Sequence, residues 1–141
     1  MSDSFKRTLM KDEGFRAKVY LDHLGFPTIG YGTRVSELKV TAIEAERWLD
    51  AELDEKEERL RKIVLYDTLS IARKNVIRSM AYQMGVRGVL KFRNMWVAIG
   101  NKDFNEAGAQ MRDSQWWRDP ATRKRAERMS RRMTANIWRL S

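Results

Sequence analysis

The spacing of apolar positions changes along the chain and divides it into segments of different secondary structure. Apolar residues at helical spacing predict a short first helix over residues 3–12, capped at Ser2 or Asp3. Residues 18–32 then have β-branched and aromatic content with glycines at the turns, which predicts a β-hairpin, and a third short strand is expected near residues 33–39. The chain therefore begins with a helix and a small sheet.

A long, charged helix is predicted after the small sheet. Thr41 and Glu44 have the spacing of a capping box, in which each side chain binds the other residue's backbone N–H at a helix start. The apolar stripe behind them predicts a helix to about residue 62, and its many charges indicate broad exposure to solvent. Such a helix suits a connection between two lobes.

The rest of the chain has helical periodicity. Residues 68–84 are the best core candidate, because their apolar face is wider than a surface helix needs, and Gly85 is expected to end this helix. Pro120 fits the first turn of a basic helix, and a terminal turn is expected near Ile137 and Trp138. The fold class is therefore α+β, with a small strand-bearing N-terminal lobe and a larger helical lobe. Shorter helices are predicted at residues 93–100, 103–113 and 120–133, with four tryptophans packed among them: Trp96, Trp116, Trp117 and Trp138.

Composition narrows the chemistry that the chain can perform. It has no cysteine and a single histidine, His23, which excludes disulfides, thiol catalysis and Cys- or His-rich metal sites. No metal or cofactor is expected, so catalysis must use carboxylates, hydroxyls, amides or basic groups. The first residues lack the apolar core of a signal peptide, and no later run reaches membrane-spanning length. We therefore expect synthesis in the cytoplasm without self-directed secretion.

Positive charge is concentrated near the C-terminus. The formal net charge is +9, and residues 112–141 hold nine Arg or Lys against three acidic residues. Such a surface attracts anionic partners, among which nucleic acid, anionic lipid, lipopolysaccharide and cell wall all qualify. A solvated helix face is the commonest role for such a run, so the basic helix alone does not identify a function.

Three polar residues near the N-terminus can converge on one side of a cleft. Glu13 lies at the end of the first helix, next to Gly14, which is placed for a left-handed C-terminal cap. Asp22 ends the first strand, and Thr28 lies across the hairpin, opposite or diagonal to it. Glycosidic cleavage needs such a set, because one group protonates the departing sugar oxygen and another positions the attacking water. A helix C-terminus favours the protonated form of the acid, whereas a nearby Arg would oppose it.

The residues around this set resemble a known family. Asp22 follows Glu13 by nine positions and Thr28 follows Asp22 by six, within the strings Asp12-Glu13-Gly14 and Thr28-Ile29-Gly30-Tyr31-Gly32. This pattern resembles the phage-type lysozymes of glycoside hydrolase family 24. Later blocks resemble the same family in the same order, so the likeness covers nearly the whole chain: Tyr66-Asp67-Thr68-Leu69, Gln83-Met84-Gly85 and Ser114-Gln115-Trp116-Trp117.

The resemblance implies a lysozyme-like fold in a single domain over residues 1–141. Its N-terminal lobe would span about residues 12–50, with residues 1–11 packed on the C-terminal lobe. The connecting helix would span about residues 41–62, and the C-terminal helical lobe about residues 63–141.

The resemblance also implies an activity and a role for each site residue. The chain would be a muramidase that hydrolyses the β-1,4 bond between N-acetylmuramic acid and N-acetylglucosamine in bacterial peptidoglycan. Glu13 would be the general acid, while Asp22 and Thr28 would hold the attacking water, usually with inversion. An arginine of the C-terminal helix would pair with Glu13, and the spacing leaves Arg123 and Arg125 as candidates. Four residues would bind substrate: Tyr20, Gly32, Tyr82 and Gln83.

Two other functions remain open on the sequence. A lytic transglycosylase cleaves the same bond without adding water and can work with one Glu, whereas the presence of Asp22 and Thr28 favours hydrolysis. A non-catalytic basic module would bind cell wall or nucleic acid through residues 112–132.

The muramidase interpretation carries its own expectations about partners and location. Peptidoglycan is the expected substrate, the basic helix is expected to meet anionic wall or outer-membrane components, and no nucleic-acid partner is expected. We expect a monomer that lyses bacteria, either as an endolysin freed from the host cytoplasm with the help of a holin or as an enzyme carried in a virion.

Overall fold

The computed structural model describes residues 2–139 and has the α+β architecture predicted from the sequence. The chain divides into two compact units, Met1–Ala45 and Glu46–Ser141. The first unit holds the first α-helix, the sheet, a short 3₁₀ helix and the start of the long helix, and the second unit is helical. The packing of residues 1–11 on the C-terminal lobe stays a prediction.

The first unit is built on a helix and a short antiparallel sheet. Helix α1, Asp3–Glu13, begins at Ser2, whose hydroxyl oxygen accepts a hydrogen bond from the backbone N–H of Phe5 at 3.4 Å. The third strand is shorter than predicted, because the backbone turns into a 3₁₀ helix at Val35–Glu37. The strands are β1 Arg16–Leu21, β2 Pro27–Gly30 and β3 Thr33–Arg34, in the order β1-β2-β3.

The long helix α2, Ala42–Leu60, begins with the predicted capping box. The backbone N–H of Thr41 donates to the Glu44 carboxylate at 2.9 Å, and the backbone N–H of Glu44 donates to the Thr41 hydroxyl at 3.2 Å. Up to residue 139, the last that the structure describes, six further helices follow: α3 Val64–Asp67, α4 Ile71–Leu90, α5 Arg93–Gly100, α6 Phe104–Arg112, α7 Gln115–Arg118 and α8 Arg123–Ala135.

Gly85 has φ +79° and ψ 160°, so it ends the first helical segment of α4 as predicted, and a second helical segment continues to Leu90. Two other boundary predictions in the second unit are wrong. Pro120 precedes α8 because it lies in a turn held by Asp119. The Asp119 side chain accepts the backbone N–H of Ala121, and the Asp119 carbonyl accepts that of Thr122. The predicted terminal turn is absent from the described residues 137–139, since the left-handed Asn136 ends α8 and irregular chain follows.

The core of the described chain lies in the second unit. The predicted core helix α4 supplies Val76, Ile77 and Met80, all fully buried. Trp96 and Trp116 pack in this core as predicted, whereas Trp138 is 39% exposed, because it follows the end of α8 in irregular chain. No helix among residues 2–139 is both long enough and apolar enough to span a membrane.

Candidate active site

Glu13 is the last residue of α1, and its side chain is exposed. Gly14 caps the helix by donating its N–H to the Met10 carbonyl at 2.9 Å. Its φ is +73° as predicted for a glycine cap, but its ψ of 152° is extended rather than left-handed helical, because the chain turns at once into β1. The carboxyl group of Glu13 meets the backbone of Gly32, where an added Cβ would stand 2.8 Å from Oε2.

Asp22 follows β1 and is fixed by the hairpin turn. Its Oδ1 accepts hydrogen bonds from the backbone N–H groups of Phe26 at 2.8 Å and Leu24 at 2.9 Å. The hydrogen bond from Phe26 is the largest influence and lowers the pKa of the Asp22 carboxyl below its usual value. Desolvation by burial opposes this lowering. The hydrogen bond from Leu24 and the positive charges of Arg34 and His23 add to it. The side chain therefore stays ionised at neutral pH.

Thr28 is the one buried residue among the described residues of the first unit. It lies directly opposite Tyr20 in the β1–β2 pairing, so Asp22, two residues further along, is diagonal to it. Its hydroxyl donates to the Phe26 carbonyl at 2.8 Å, and the same carbonyl accepts the Asp22 backbone N–H at 3.0 Å. The main chain of Phe26 thus links the two side chains, a role that sequence reasoning missed because a backbone group has no sequence signal.

These residues surround a cavity of about 390 Å³ in the first unit. The cavity brings together five of the predicted site residues, together with three that the sequence did not single out for the site. The five are Glu13, Tyr20, Asp22, Thr28 and Gly32, and the three are Arg16, Leu21 and His23. Two larger cavities, of about 710 and 610 Å³, lie in the second unit, but this smaller one holds the paired carboxyls that glycosidic chemistry requires.

The predicted sugar-binding residues Tyr82 and Gln83 lie in the second unit, on α4. Tyr82 is 40% exposed, and the Lys56 ammonium lies 5.9 Å from the centre of its ring. The Oε1 atom of Gln83 accepts a hydrogen bond from Nε1 of the buried Trp116 at 2.8 Å, which fixes the direction of its amide. Both residues stay predictions as substrate contacts.

The two arginines proposed to pair with Glu13 also lie in the second unit. The guanidinium carbon of Arg123 lies 3.9 Å from the centre of the Trp117 ring, and its Nε lies 3.4 Å from Oε1 of Glu127. Arg125 lines the 610 Å³ cavity beside Trp138. Which of the two pairs with Glu13 stays a prediction.

Among residues 2–139 no group of three or more Asp, Glu or His side chains is placed to hold a metal ion.

Comparisons with known proteins identify similar chains. The family described as phage lysozyme matches residues 10–136. The pre-baseplate central spike protein Gp5 of Enterobacteria phage T4 is 28% identical over 156 aligned positions, which cover 90% of this chain and 27% of the spike protein. Two probable T4-type lysozymes of Dictyostelium discoideum are 27% and 26% identical, over 82% and 92% of this chain and 86% and 92% of their own lengths. The chain therefore spans about a quarter of one relative and most of the other two.

Proposed function

This chain belongs to the phage lysozyme family, and we propose that it is a muramidase acting on the β-1,4 bond between N-acetylmuramic acid and N-acetylglucosamine in bacterial peptidoglycan. One observation carries the proposal: Glu13, Asp22 and Thr28 line a single cavity. Cleavage of a glycosidic bond needs an acid for the leaving oxygen and a second group for the attacking water. The three side chains provide both functions.

The hydrogen bonds of Asp22 and Thr28 suit them to hold a water molecule. The Thr28 hydroxyl donates its proton to the Phe26 carbonyl, so it presents lone pairs to the cavity. The ionised carboxylate of Asp22 can only accept. A water that donates one hydrogen to each of them keeps a lone pair for the anomeric carbon of the sugar.

In the proposed reaction one carboxyl group donates a proton and the other accepts one. Glu13 gives its proton to the glycosidic oxygen as the bond to the anomeric carbon breaks. The water oxygen bonds to that carbon from the opposite face and releases a proton to Asp22, so the configuration is inverted. Exchange with solvent then restores the proton of Glu13 and removes the one on Asp22.

Other residues are proposed to bind the glycan and to orient the acid. Tyr20 and Gly32 share the cavity with the three catalytic groups, which supports sugar contacts there. Tyr82 and Gln83 are proposed to contact N-acetyl groups from the second unit. Either Arg123 or Arg125 is proposed to pair with Glu13 and hold its carboxyl in place.

The basic helix α8 is proposed to meet anionic components of the wall or outer membrane. Lys124, Arg128 and Arg131 recur at helical spacing on one face, so their charges add along that face. We propose a monomer that reaches the wall after holin-assisted release or within a virion. The similarity to a phage spike protein supports the second route.

End-group analysis of digested wall tests the proposed activity. Purified peptidoglycan incubated with the protein is expected to gain reducing N-acetylmuramic acid ends with the α configuration when read at once by NMR. Glu13→Gln, which cannot donate the proton, is expected to lose at least about a hundredfold in rate. Formation of 1,6-anhydro ends would instead identify a lytic transglycosylase, and an unchanged wall with wall binding that depends on α8 would identify a non-catalytic module.

A further inference from the structure

Arg16 is a cation in the wall of the catalytic cavity that the proposed reaction does not use. It lies on β1, four residues before Tyr20, and lines the cavity together with Glu13 and Asp22. Its guanidinium carbon lies 4.5 Å from the centre of the Tyr20 ring. Because this contact stacks the planar group on an aromatic face, the charge is held at the cavity rather than free to move in solvent.

The charge of Arg16 has no carboxylate partner in the part of the chain that the structure describes. Its neighbour across the β1–β2 pairing is Gly30, where an added Cβ would meet nothing within 4 Å. The cations that lower the pKa of Asp22 are Arg34 and His23 rather than Arg16. Arg16 is itself exposed and lines the cavity, so its hydrogen-bond donors are available to a ligand.

The chemistry of peptidoglycan supplies a matching anion. N-acetylglucosamine is neutral, whereas N-acetylmuramic acid has a lactyl arm that ends in a carboxylate or carries a stem peptide with carboxylates of its own. The ionised Asp22 puts negative charge in the cavity and opposes the approach of such an arm, while a guanidinium at the edge of the cavity attracts it. A guanidinium also matches a carboxylate with two parallel hydrogen bonds.

We propose that Arg16 binds the carboxylate carried on the lactyl arm of N-acetylmuramic acid and thereby selects that sugar for one side of the scissile bond. The inference rests on the proposed muramidase function. Arg16 is thus a specificity-determining residue: it acts on substrate affinity, and it leaves the proton transfers to Glu13 and Asp22.

The test compares charged and neutralised wall. Native wall and wall whose carboxylates are converted to methylamides are digested by four proteins: the unchanged chain, Arg16→Gln, Arg16→Lys and Lys18→Gln. Lys18 is the matched control, since it is an exposed cation on the same strand and lies outside the cavity lining. The readout is the release of reducing ends as a function of wall concentration.

On native wall, Arg16→Gln is expected to raise the half-saturating wall concentration about three- to fivefold, which is the effect expected from the loss of one solvent-accessible ion pair. Its maximal rate is expected to stay near that of the unchanged chain. Arg16→Lys recovers part of the loss, and Lys18→Gln shows none. On the methylamidated wall the unchanged chain and Arg16→Gln have equal half-saturating concentrations.

Glycan strands stripped of stem peptides distinguish the two sources of carboxylate. Stripping frees the lactyl carboxylate that the stem peptide had blocked as an amide. A difference between the unchanged chain and Arg16→Gln that grows on stripped strands therefore assigns the contact to the lactyl carboxylate, and one that disappears assigns it to the stem peptide. An equal loss for Arg16→Gln on charged and neutralised wall would overturn the proposal, as would an equal loss for Lys18→Gln. If the unchanged chain releases no reducing ends from native wall, the muramidase function itself fails.

Discussion

The carboxyl group of Glu13 lies against the backbone of Gly32 so closely that a methyl group on Gly32 would stand 2.8 Å from Oε2 of Glu13. Gly32 also has a φ of +80°, a conformation that residues with a side chain rarely adopt. The chain after β2 therefore turns in a way that requires glycine and leaves room for the proposed acid. The position of the acid depends on this turn as well as on α1.

We predict that Gly32→Ala reduces activity by displacing the Glu13 carboxyl. The new methyl group overlaps Oε2, so the acid must move away from the glycosidic oxygen that it protonates. Misplacement of a catalytic group by about 1 Å can cost about a hundredfold in rate. Reducing-end release at saturating wall, expressed per folded molecule, is expected to fall about tenfold to a hundredfold.

Gly25→Ala separates the effect on Glu13 from general backbone strain. Gly25 has a φ of +85°, similar to that of Gly32, but an added Cβ there meets nothing within 4 Å. Both substitutions are expected to reduce the free energy of unfolding by about 1–2 kcal/mol. If Gly25→Ala lost as much activity per folded molecule as Gly32→Ala, the contact with Glu13 would not be the cause.

Asp22→Asn is predicted to preserve the hairpin turn and remove the charge needed at the water. An amide oxygen can still accept the backbone N–H groups of Leu24 and Phe26, which now bind Oδ1. Without a carboxylate to receive the proton from water, the maximal rate is expected to fall about a hundredfold or more. Asp22→Ala, which also loses the turn bonds, is expected to unfold at a lower temperature than Asp22→Asn, and equal melting temperatures would contradict the turn's role.

The lowered pKa of Asp22 gives a pH dependence with a definite sign. The folded chain favours the ionised carboxylate, so this group binds its proton only below the ordinary Asp value of about 3.9. Its contribution to stability is present above that value and is lost as pH falls through the lower folded pKa. In a carbon-13 NMR titration of the carboxyl groups, the Asp22 signal is expected to have its midpoint below the ordinary Asp value of about 3.9, and a midpoint above that value would contradict the hydrogen-bonding account.

Thr28 is predicted to act through its hydroxyl group rather than its bulk. Thr28→Val has nearly the same shape but gives no lone pair to water and no proton to the Phe26 carbonyl, with which the hydroxyl now bonds at 2.8 Å. Loss of one buried hydrogen bond is expected to cost about 1 kcal/mol of stability, and loss of the water contact lowers the maximal rate. Thr28→Ser keeps the hydroxyl and is expected to keep most of the activity. A Val variant as active as the Ser variant would exclude Thr28 from the water site.

The fold was predictable where local signals decide it. The capping box at Thr41 and Glu44 and the bounds of α5 follow from residues a few positions apart. The four-residue helices α3 and α7 were missed, because helices this short have no periodicity and depend on the burial of Tyr66 and Trp116. Such tertiary stabilisation cannot be read from local sequence.

The candidate site was predictable in its side chains but not in its supports. Glu13, Asp22 and Thr28 are marked by residue type and spacing, and the end of α1 and the hairpin together bring them to one cavity. The carbonyl of Phe26 joins Asp22 to Thr28 through bonds that any residue could make. The pairing of β1 with β2 is irregular between Arg16 and Tyr20, and alternation alone predicts neither this irregularity nor the contact of the Arg16 guanidinium with the Tyr20 ring.

The last prediction concerns an ion pair in the second unit and its loss in acid. Two nitrogens of Arg78 donate to the Glu57 carboxylate at 2.7 and 2.8 Å, and the buried Tyr66 hydroxyl donates to it at 2.7 Å. The bond from Arg78 is the main reason that the pKa of Glu57 is lowered from 4.5 to about 2. The stabilisation is therefore complete above about pH 4.5, declines as pH falls, and is gone below about pH 2.

Glu57→Gln is expected to reduce the free energy of unfolding by about 2 kcal/mol at pH 7. This figure is smaller than the pKa shift alone would give, because about a third of the Arg78 side chain is exposed and solvent screens the ion pair. Urea denaturation followed by tryptophan fluorescence at pH 7, 4 and 2.5 is expected to show this difference shrinking toward low pH. Glu55→Gln on the same helix is the matched control, because its exposed pair with Arg59 at 3.6 Å is worth about 0.5 kcal/mol or less. A loss for Glu57→Gln that stays constant from pH 7 to 2.5 would show that the charge of Glu57 is not what stabilises this unit.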